Sequence, residues 1–199
     1  MKITDIKTQV KDQSRASVFV DGKYSFSLSN HQLQSSGLRV GAEISSEQLA
    51  DFNEASDLGK VEAKVLRFLS VRPRSEWEVD DWFRRKKVDK PLADTIIERL
   101  KQWKYLDDQK FAESWVNSRR LLKNTSKRKL RAELLAKRVD ESIINQVLEA
   151  DETDDVEQIK KIIAIKSKQS RYQDQQKLMA YLQRQGFGYS DIKQALEAD

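Results

Sequence analysis

The sequence predicts a mainly α-helical protein: three tandem three-helix repeats forming an elongated solenoid, preceded by a small N-terminal antiparallel β-hairpin or sheet. Three observations lead there. Apolar residues alternate through the first 30 positions, then change to helical spacing. Residues 129–150 match residues 177–198 at ten of 22 positions without a gap. The 199-residue chain holds only two prolines and six glycines, few interruptions for a chain of that length.

The N-terminal strands come first. Ile6, Thr8 and Val10 alternate, as do Ala16, Val18 and Val20, and then Tyr24, Phe26 and Leu28. Asp21-Gly22 separates the last two runs, and Asp-Gly is a strong hairpin signal because both residues tolerate positive φ. The expected register puts the even-numbered side chains on one face. Three strands bury little by themselves, so that face is expected to cover other elements. A short helix follows near 30–35, with turns at Gly37 and Gly41. His31 is the single histidine and has no second ligand type beside it, so it reads as structural or exposed. Ser45 or Ser46 is expected to cap a helix running through Leu49 and Phe52 to about Ser56.

From Leu58 onward the chain is helical and repetitive. Among the matched pairs, Leu130/Leu178, Leu134/Leu182, Ile144/Ile192, Leu148/Leu196 and Ala150/Ala198 are identical, and Phe111 and Trp115 correspond to Ile159 and Ile163 in pattern. A fainter earlier copy pairs Val79 and Phe83 with Leu130 and Leu134 at an offset of 51, and Ile96 and Leu100 with Ile144 and Leu148 at 48. The difference falls in the turn before Pro91, which is expected in the first turn of a helix. Each unit is thus about 45–50 residues and three helices, too short to be stable alone but able to share a core with stacked neighbours. The expected division is 1–57, 58–106, 107–150 and 151–199. Stacked end to end, three units would span roughly 60 Å or more. Trp77, Trp82, Trp103 and Trp115 are read as packing residues rather than platforms for bases.

Asp107-Asp108 marks the clearest helix start, ahead of the apolar stripe Phe111, Ala112, Trp115 and Val116. The pair reads as a cap and not as a metal or acid–base pair, because no histidine, cysteine or further acid cluster stands near it. Gly186 reads as a left-handed residue closing the helix of Leu178 and Leu182.

The net charge of +5 is unevenly placed: −2 over 1–57, +5 over 58–106, +3 over 107–150 and −1 over 151–199. Residues 119–138 hold nine Lys or Arg against one acid, Glu133. Such a run suits an anionic partner, either nucleic acid or an acidic protein surface, or else a solvated helix face. The absence of cysteine removes disulfides, thiolate metal sites and cysteine nucleophiles. No P-loop, nucleophile elbow or metal-spaced His/Cys set occurs, so neither catalysis nor a cofactor is expected. With no apolar run of signal or membrane length, the expectation is a soluble cytoplasmic protein.

Arg74-Ser75-Glu76-Trp77-Glu78, then Tyr105-Leu106-Asp107-Asp108 leading to Phe111-Ala112, Trp115-Val116 and Arg119, resemble the RecX family of bacterial regulators of the RecA recombinase. The N-terminal VFVDGKYSFSLS is similar to the hairpin extension of many members. One departure is Lys123-Asn124-Thr125-Ser126, where many members have a glycine-containing segment. The resemblance implies a protein that lies in the groove of the RecA–single-stranded DNA filament. There it would inhibit ATP hydrolysis and strand exchange, restraining recombination, DNA repair and the SOS response. Single- and double-stranded DNA are further candidate partners, and a monomer is expected. The candidate contacts are Arg84, Arg85, Lys86 and Lys87 in the first unit, and Arg119, Arg120, Lys123, Lys127, Arg128 and Arg131 in the second. The alternatives are a non-specific nucleic-acid-binding repeat protein without a RecA partner, and a helical scaffold for an acidic protein.

Overall fold

The computed structural model describes residues 1–197. The matched pair Ala150/Ala198 therefore has one member, Ala198, outside the described residues. The chain forms two compact units. One comprises Met1–Arg72 with Val88–Ile96, and the other Pro73–Lys87 with the chain from Ile97 onward.

In the first unit, β1 (Ile3–Thr8), β2 (Arg15–Val20) and β3 (Lys23–Ser29) form an antiparallel sheet in that order. The hairpin turns on Asp21 and Gly22, both at positive φ (48° and 81°), as their residue types require. Even-numbered Ala16, Val18, Val20, Phe26 and Leu28 are buried, but two bulges alter the expected register. One lies between Ile3 and Asp5, so that odd-numbered Ile3 shares the inner face with Ile6. The other shifts the pairing from Val18↔Phe26 to Phe19↔Tyr24, which turns Tyr24 outward. Val10 lies beyond the strand and is exposed.

The inner face is covered, as three strands require, by α1 (Asn30–Ser36) and α2 (Ser46–Ser70). Ser29 and Ser45 start these helices, each in a reciprocal capping box with the glutamine three residues on. Phe52 of α2 stacks on Phe26 at 5.3 Å. The helix end expected near Ser56 is not there: α2 is 25 residues long and continues through Gly59 to Ser70. That glycine is an approach point and not a stop. A Cβ on it would stand 3.1 Å from Arg15 Nη1 and 3.3 Å from Gln32 Oε1. Arg15 is itself buried and donates to the Ser27 carbonyl at 2.7 Å.

The second unit holds α3 (Glu76–Arg85), the latter part of α4 (Lys90–Gln102), α5 (Asp108–Lys123), α6 (Lys127–Ala136), α7 (Glu141–Glu149), α8 (Asp155–Lys166), a 3₁₀ turn at Ser170–Tyr172, α9 (Gln175–Arg184) and α10 (Tyr189–Glu197). Pro91 sits in the first turn of α4. The positions that match between copies are core positions. Val79, Phe83, Ile96, Leu100, Leu130, Leu134, Ile144, Leu182 and Ile192 are all nearly or fully buried. Phe111, Ala112, Val116, Leu130, Leu134, Ile144, Val147 and Leu148 close one cluster among α5, α6 and α7, and Ile159, Ile162, Leu178, Leu182, Phe187 and Ile192 close the next among α8, α9 and α10. Asn124, in the segment lacking a glycine, takes a left-handed φ of 45° at the end of α5, a conformation asparagine tolerates better than most residues. The tryptophans divide. Trp82 and Trp115 are largely packed, while Trp77 and Trp103 are 38% and 45% exposed, so both depart from the expected packing role.

Candidate nucleic-acid and filament interface

The middle helices α3 and α6 begin with the same device. Ser75 and Ser126 are fully buried N-caps that accept from the backbone N–H groups of Glu78 and Lys129. Each hydroxyl also donates: Ser75 Oγ to the Lys137 carbonyl at 2.9 Å, and Ser126 Oγ to the Gln185 carbonyl at 2.9 Å. The acceptor is in each case the C-terminal end of the next repeat's middle helix. A serine can fill both roles, whereas an ionised aspartate only accepts. The third middle helix, α9, is capped by exposed Asp174, which accepts from the backbone N–H groups of Gln176 and Lys177.

A second contact repeats with the first. Asp108, which opens α5, accepts the backbone N–H of Glu76, the first residue of α3, at 2.8 Å. Asp155, which opens α8, accepts that of Lys127, the first residue of α6, at 3.1 Å. Asp107 caps its own helix by accepting from Lys110, so of the expected capping pair one member works locally and the other reaches back one repeat. Ion pairs seal both joints. Lys137 meets Glu78 at 2.7 Å. Arg120 meets Asp151 at 2.7 Å and Asp155 at 2.8 Å, and also donates to the Thr125 carbonyl.

These joints reassign some of the candidate contacts. Arg120 is corrected from an anion contact to an internal tie: its side chain is 7% exposed and its guanidinium is committed to two carboxylates and a carbonyl. Arg119 is half spent. It pairs with Glu133 at 2.7 Å, and its guanidinium lies 4.3 Å from the centre of the Trp115 ring, whose Nε1–H donates to the same carboxylate. Arg84 and Arg85 pair with Asp80 and Asp81 along the solvent face of α3, contacts weak enough for a stronger anion to displace. Arg131 donates to Asn145. Lys86, Lys87, Lys123, Lys127 and Arg128 have no ion pair among the described residues, and all but half-buried Lys127 are exposed.

The structure brings the second-repeat cations together. Lys123 ends α5, while Lys127, Arg128 and Arg131 lie on the first turns of α6, after a three-residue link. Lys86 and Lys87 are elsewhere. The joint ties the start of α3 to the end of α6, so these two lysines and the start of α6 each lie a ten-residue helix, about 15 Å, away from it. Burial pushes the Asp108 carboxyl above its ordinary value, more than the hydrogen bond from Glu76 lowers it. Burial also acts upward on Asp151, but the hydrogen bonds from Thr153 and Arg120 and the guanidinium charge outweigh it and hold that carboxyl low. Among the described residues no helix is long and apolar enough to cross a membrane, and no cluster of His, Cys, Asp and Glu is arranged to hold a metal ion.

Four family models match successive parts of the chain: the "Regulatory protein RecX N-terminal domain" over residues 1–45, and the first, second and third RecX three-helix domains over 63–100, 107–148 and 156–196. "Regulatory protein RecX" of Bacillus subtilis (strain 168) is 31% identical over 98% of this chain and 76% of its own. The chain belongs to the RecX family. The same-named protein of Oceanobacillus iheyensis is 33% identical over the same shares. The fold agrees with a crystal structure of regulatory protein RecX, with a TM-score of 0.73, 24% identity and coverage of 98% of both chains. It also agrees with RecX from Lactobacillus salivarius, with a TM-score of 0.61, 25% identity and coverage of 72% and 97%. The RecX three-helix domains overlap the repeats seen as internal matches, and the joints described above connect consecutive RecX domains.

Sequence reasoning missed those joints, although a signal was present. Asp107-Asp108 recurs as Asp154-Asp155, and the cap positions read Ser75, Ser126, Asp174.

Proposed function

We propose that this RecX-family chain binds the RecA–single-stranded DNA filament and inhibits its ATPase and strand-exchange activities, so modulating recombination, DNA repair and the SOS response. It acts as a monomer, by binding and not by catalysis, and needs no cofactor. The cations of the first two repeats meet acidic filament surface or DNA phosphate. The contacts hold neighbouring protomers in one relative geometry and block the shifts that turnover needs. Phosphate contacts of this kind give position rather than sequence specificity.

The observation that carries the reading is the family match over 98% of this chain combined with unpaired cations at the α5–α6 corner, next to a joint that fixes one repeat on the next. The experiment is ATP hydrolysis by a preformed RecA–single-stranded DNA filament, titrated with this protein far below one per RecA. Inhibition at such ratios supports action on the filament. Inhibition only at amounts that coat the DNA favours the second reading, a general nucleic-acid-binding surface, which the same unpaired cations also support.

A further inference from the structure

The third repeat carries a net charge near zero that hides a sharp segregation. Residues 149–157 hold six acids and no base, while residues 158–173 hold five bases and no acid. Four of the six acids are engaged within the chain. Asp151 and Asp155 hold Arg120, Asp154 caps α8, and Glu157 pairs with Lys160. The basic half is left facing outward. Lys161, Lys168 and Arg171 are exposed, and none of them has an ion pair among the described residues.

Two aromatic rings lie beside Lys166 and Arg171, the basic residues on either side of Lys168. Tyr172, from the 3₁₀ turn, and Tyr181, from α9, have ring centres 5.2 Å apart. Lys166 Nζ stands over both, at 5.4 and 5.2 Å, and the Arg171 guanidinium is 5.8 Å from the centre of the Tyr172 ring. Ser167, Gln169 and Ser170 are exposed between them and offer hydroxyl and amide donors. Solubility does not require one sign of charge to be gathered beside a pair of rings.

We propose that this face of the third repeat, formed by the end of α8 and the 3₁₀ turn, is a binding site for single-stranded nucleic acid. Phosphates lie on Lys161, Lys168 and Arg171, and a base rests against Tyr172. Cations alternating with rings match a single strand, in which phosphates alternate with accessible base faces. A duplex keeps those faces stacked inside, and an acidic protein surface would use the cations and leave the rings idle. The site is separate from the α5–α6 cations and does not depend on the filament reading.

The test is fluorescence anisotropy of a labelled thymidine oligonucleotide titrated with the full chain across a series of salt concentrations. The main variant is K161Q/K168Q/R171Q, which changes only exposed side chains. Its expected affinity is lower, with a log–log salt slope shallower by about 2, from about 0.7 per lost phosphate contact on a single strand. Y172L should weaken binding by about 5-fold or more without changing the slope. Circular dichroism and thermal unfolding confirm that each variant is folded, and the triple variant alone decides the matter if Y172L is not. Unchanged affinity and slope in the folded triple variant overturn the proposal. Retained oligonucleotide affinity with lost affinity for the RecA filament also overturns it, and makes this face a dock for an acidic protein.

Discussion

Asp108 Oδ1 accepts the backbone N–H of Glu76 at 2.8 Å, so the residue that opens α5 completes the start of α3, a helix in the preceding repeat. Asp155 does the same for Lys127 one repeat later. A helix start has N–H groups with no partner of its own, and in this chain a neighbouring repeat supplies one. The repeats are therefore joined through backbone groups as well as through side-chain packing, and the joint recurs because the sequence recurs.

The Asp108 carboxylate sits in an environment that disfavours its charge, since burial raises its pKa. A raised folded value means that the folded state binds the proton more readily than the unfolded state. Its unfavourable contribution is thus full above the folded pKa and recedes as pH falls through it. Asp108→Asn keeps an oxygen acceptor for Glu76 and drops the charge. Urea unfolding at neutral pH should show stability unchanged or raised. Asp108→Ala loses the acceptor and should lower stability by about 1 kcal/mol.

Arg120 is buried against two carboxylates that belong to the next repeat. Removing it leaves Asp151 and Asp155 without their cation, so Arg120→Ala should cost about 3–5 kcal/mol in chemical unfolding, or melt the third repeat separately. Asp151 is held below its ordinary value of 3.8. Its stabilising contribution is present above that value and is lost as pH falls through the lower folded value. The acid-unfolding limb of the wild type should therefore flatten in Arg120→Ala, and an unchanged limb would show that the tie carries no linkage.

Gly186 has φ +92°, and a Cβ there would stand 2.5 Å from Ser126 Oγ, the hydroxyl that donates to Gln185. Gly186→Ala should destabilise by about 1–3 kcal/mol from the backbone conformation alone, with displacement of the Ser126 hydroxyl added. Lys87 and Arg138 occupy the corresponding left-handed positions of the first two repeats, at φ 55° and 57°. Lys87→Gly and Arg138→Gly should be neutral or stabilising by up to about 1 kcal/mol in thermal unfolding, because glycine adopts that conformation without steric strain.

Arg128 and Arg131 lie on the first turns of α6, beside the joint made by Ser126 and Lys127, but neither side chain takes part in it. Reversing both charges, Arg128→Glu with Arg131→Glu, should leave the circular dichroism spectrum and unfolding midpoint nearly unchanged while weakening filament binding on the order of ten-fold at low salt. Equal filament affinity in the folded double variant would remove this face from the interface.

The legible parts of this fold were those written in local pattern. Alternation around Asp21-Gly22 announced the hairpin, and identical spacing of Leu130, Leu134 and Ile144 with Leu178, Leu182 and Ile192 announced the repeat and its core. The end of α2 was placed too early, near Ser56, because nothing local in the sequence shows that Gly59 admits Arg15 and Gln32 against a continuing helix. The bulges at Ile3–Asp5 and at Tyr24 were silent because one extra residue leaves the alternation intact on either side.

The candidate site was legible as charge and not as accessibility. Arg119, Arg120 and Lys123 are alike in a sequence, but in the fold one is stacked on Trp115, one is sealed between Asp151 and Asp155, and one is exposed. The sequence by itself determined the repeat, the caps, the core positions and the basic centre, because each is written in a local pattern or in the recurrence of that pattern along the chain. Only the tertiary structure decided which cations are spent internally and which carboxylate completes which helix. Those pairings join residues some 30 to 60 positions apart, whose meeting depends on how one repeat packs on the next.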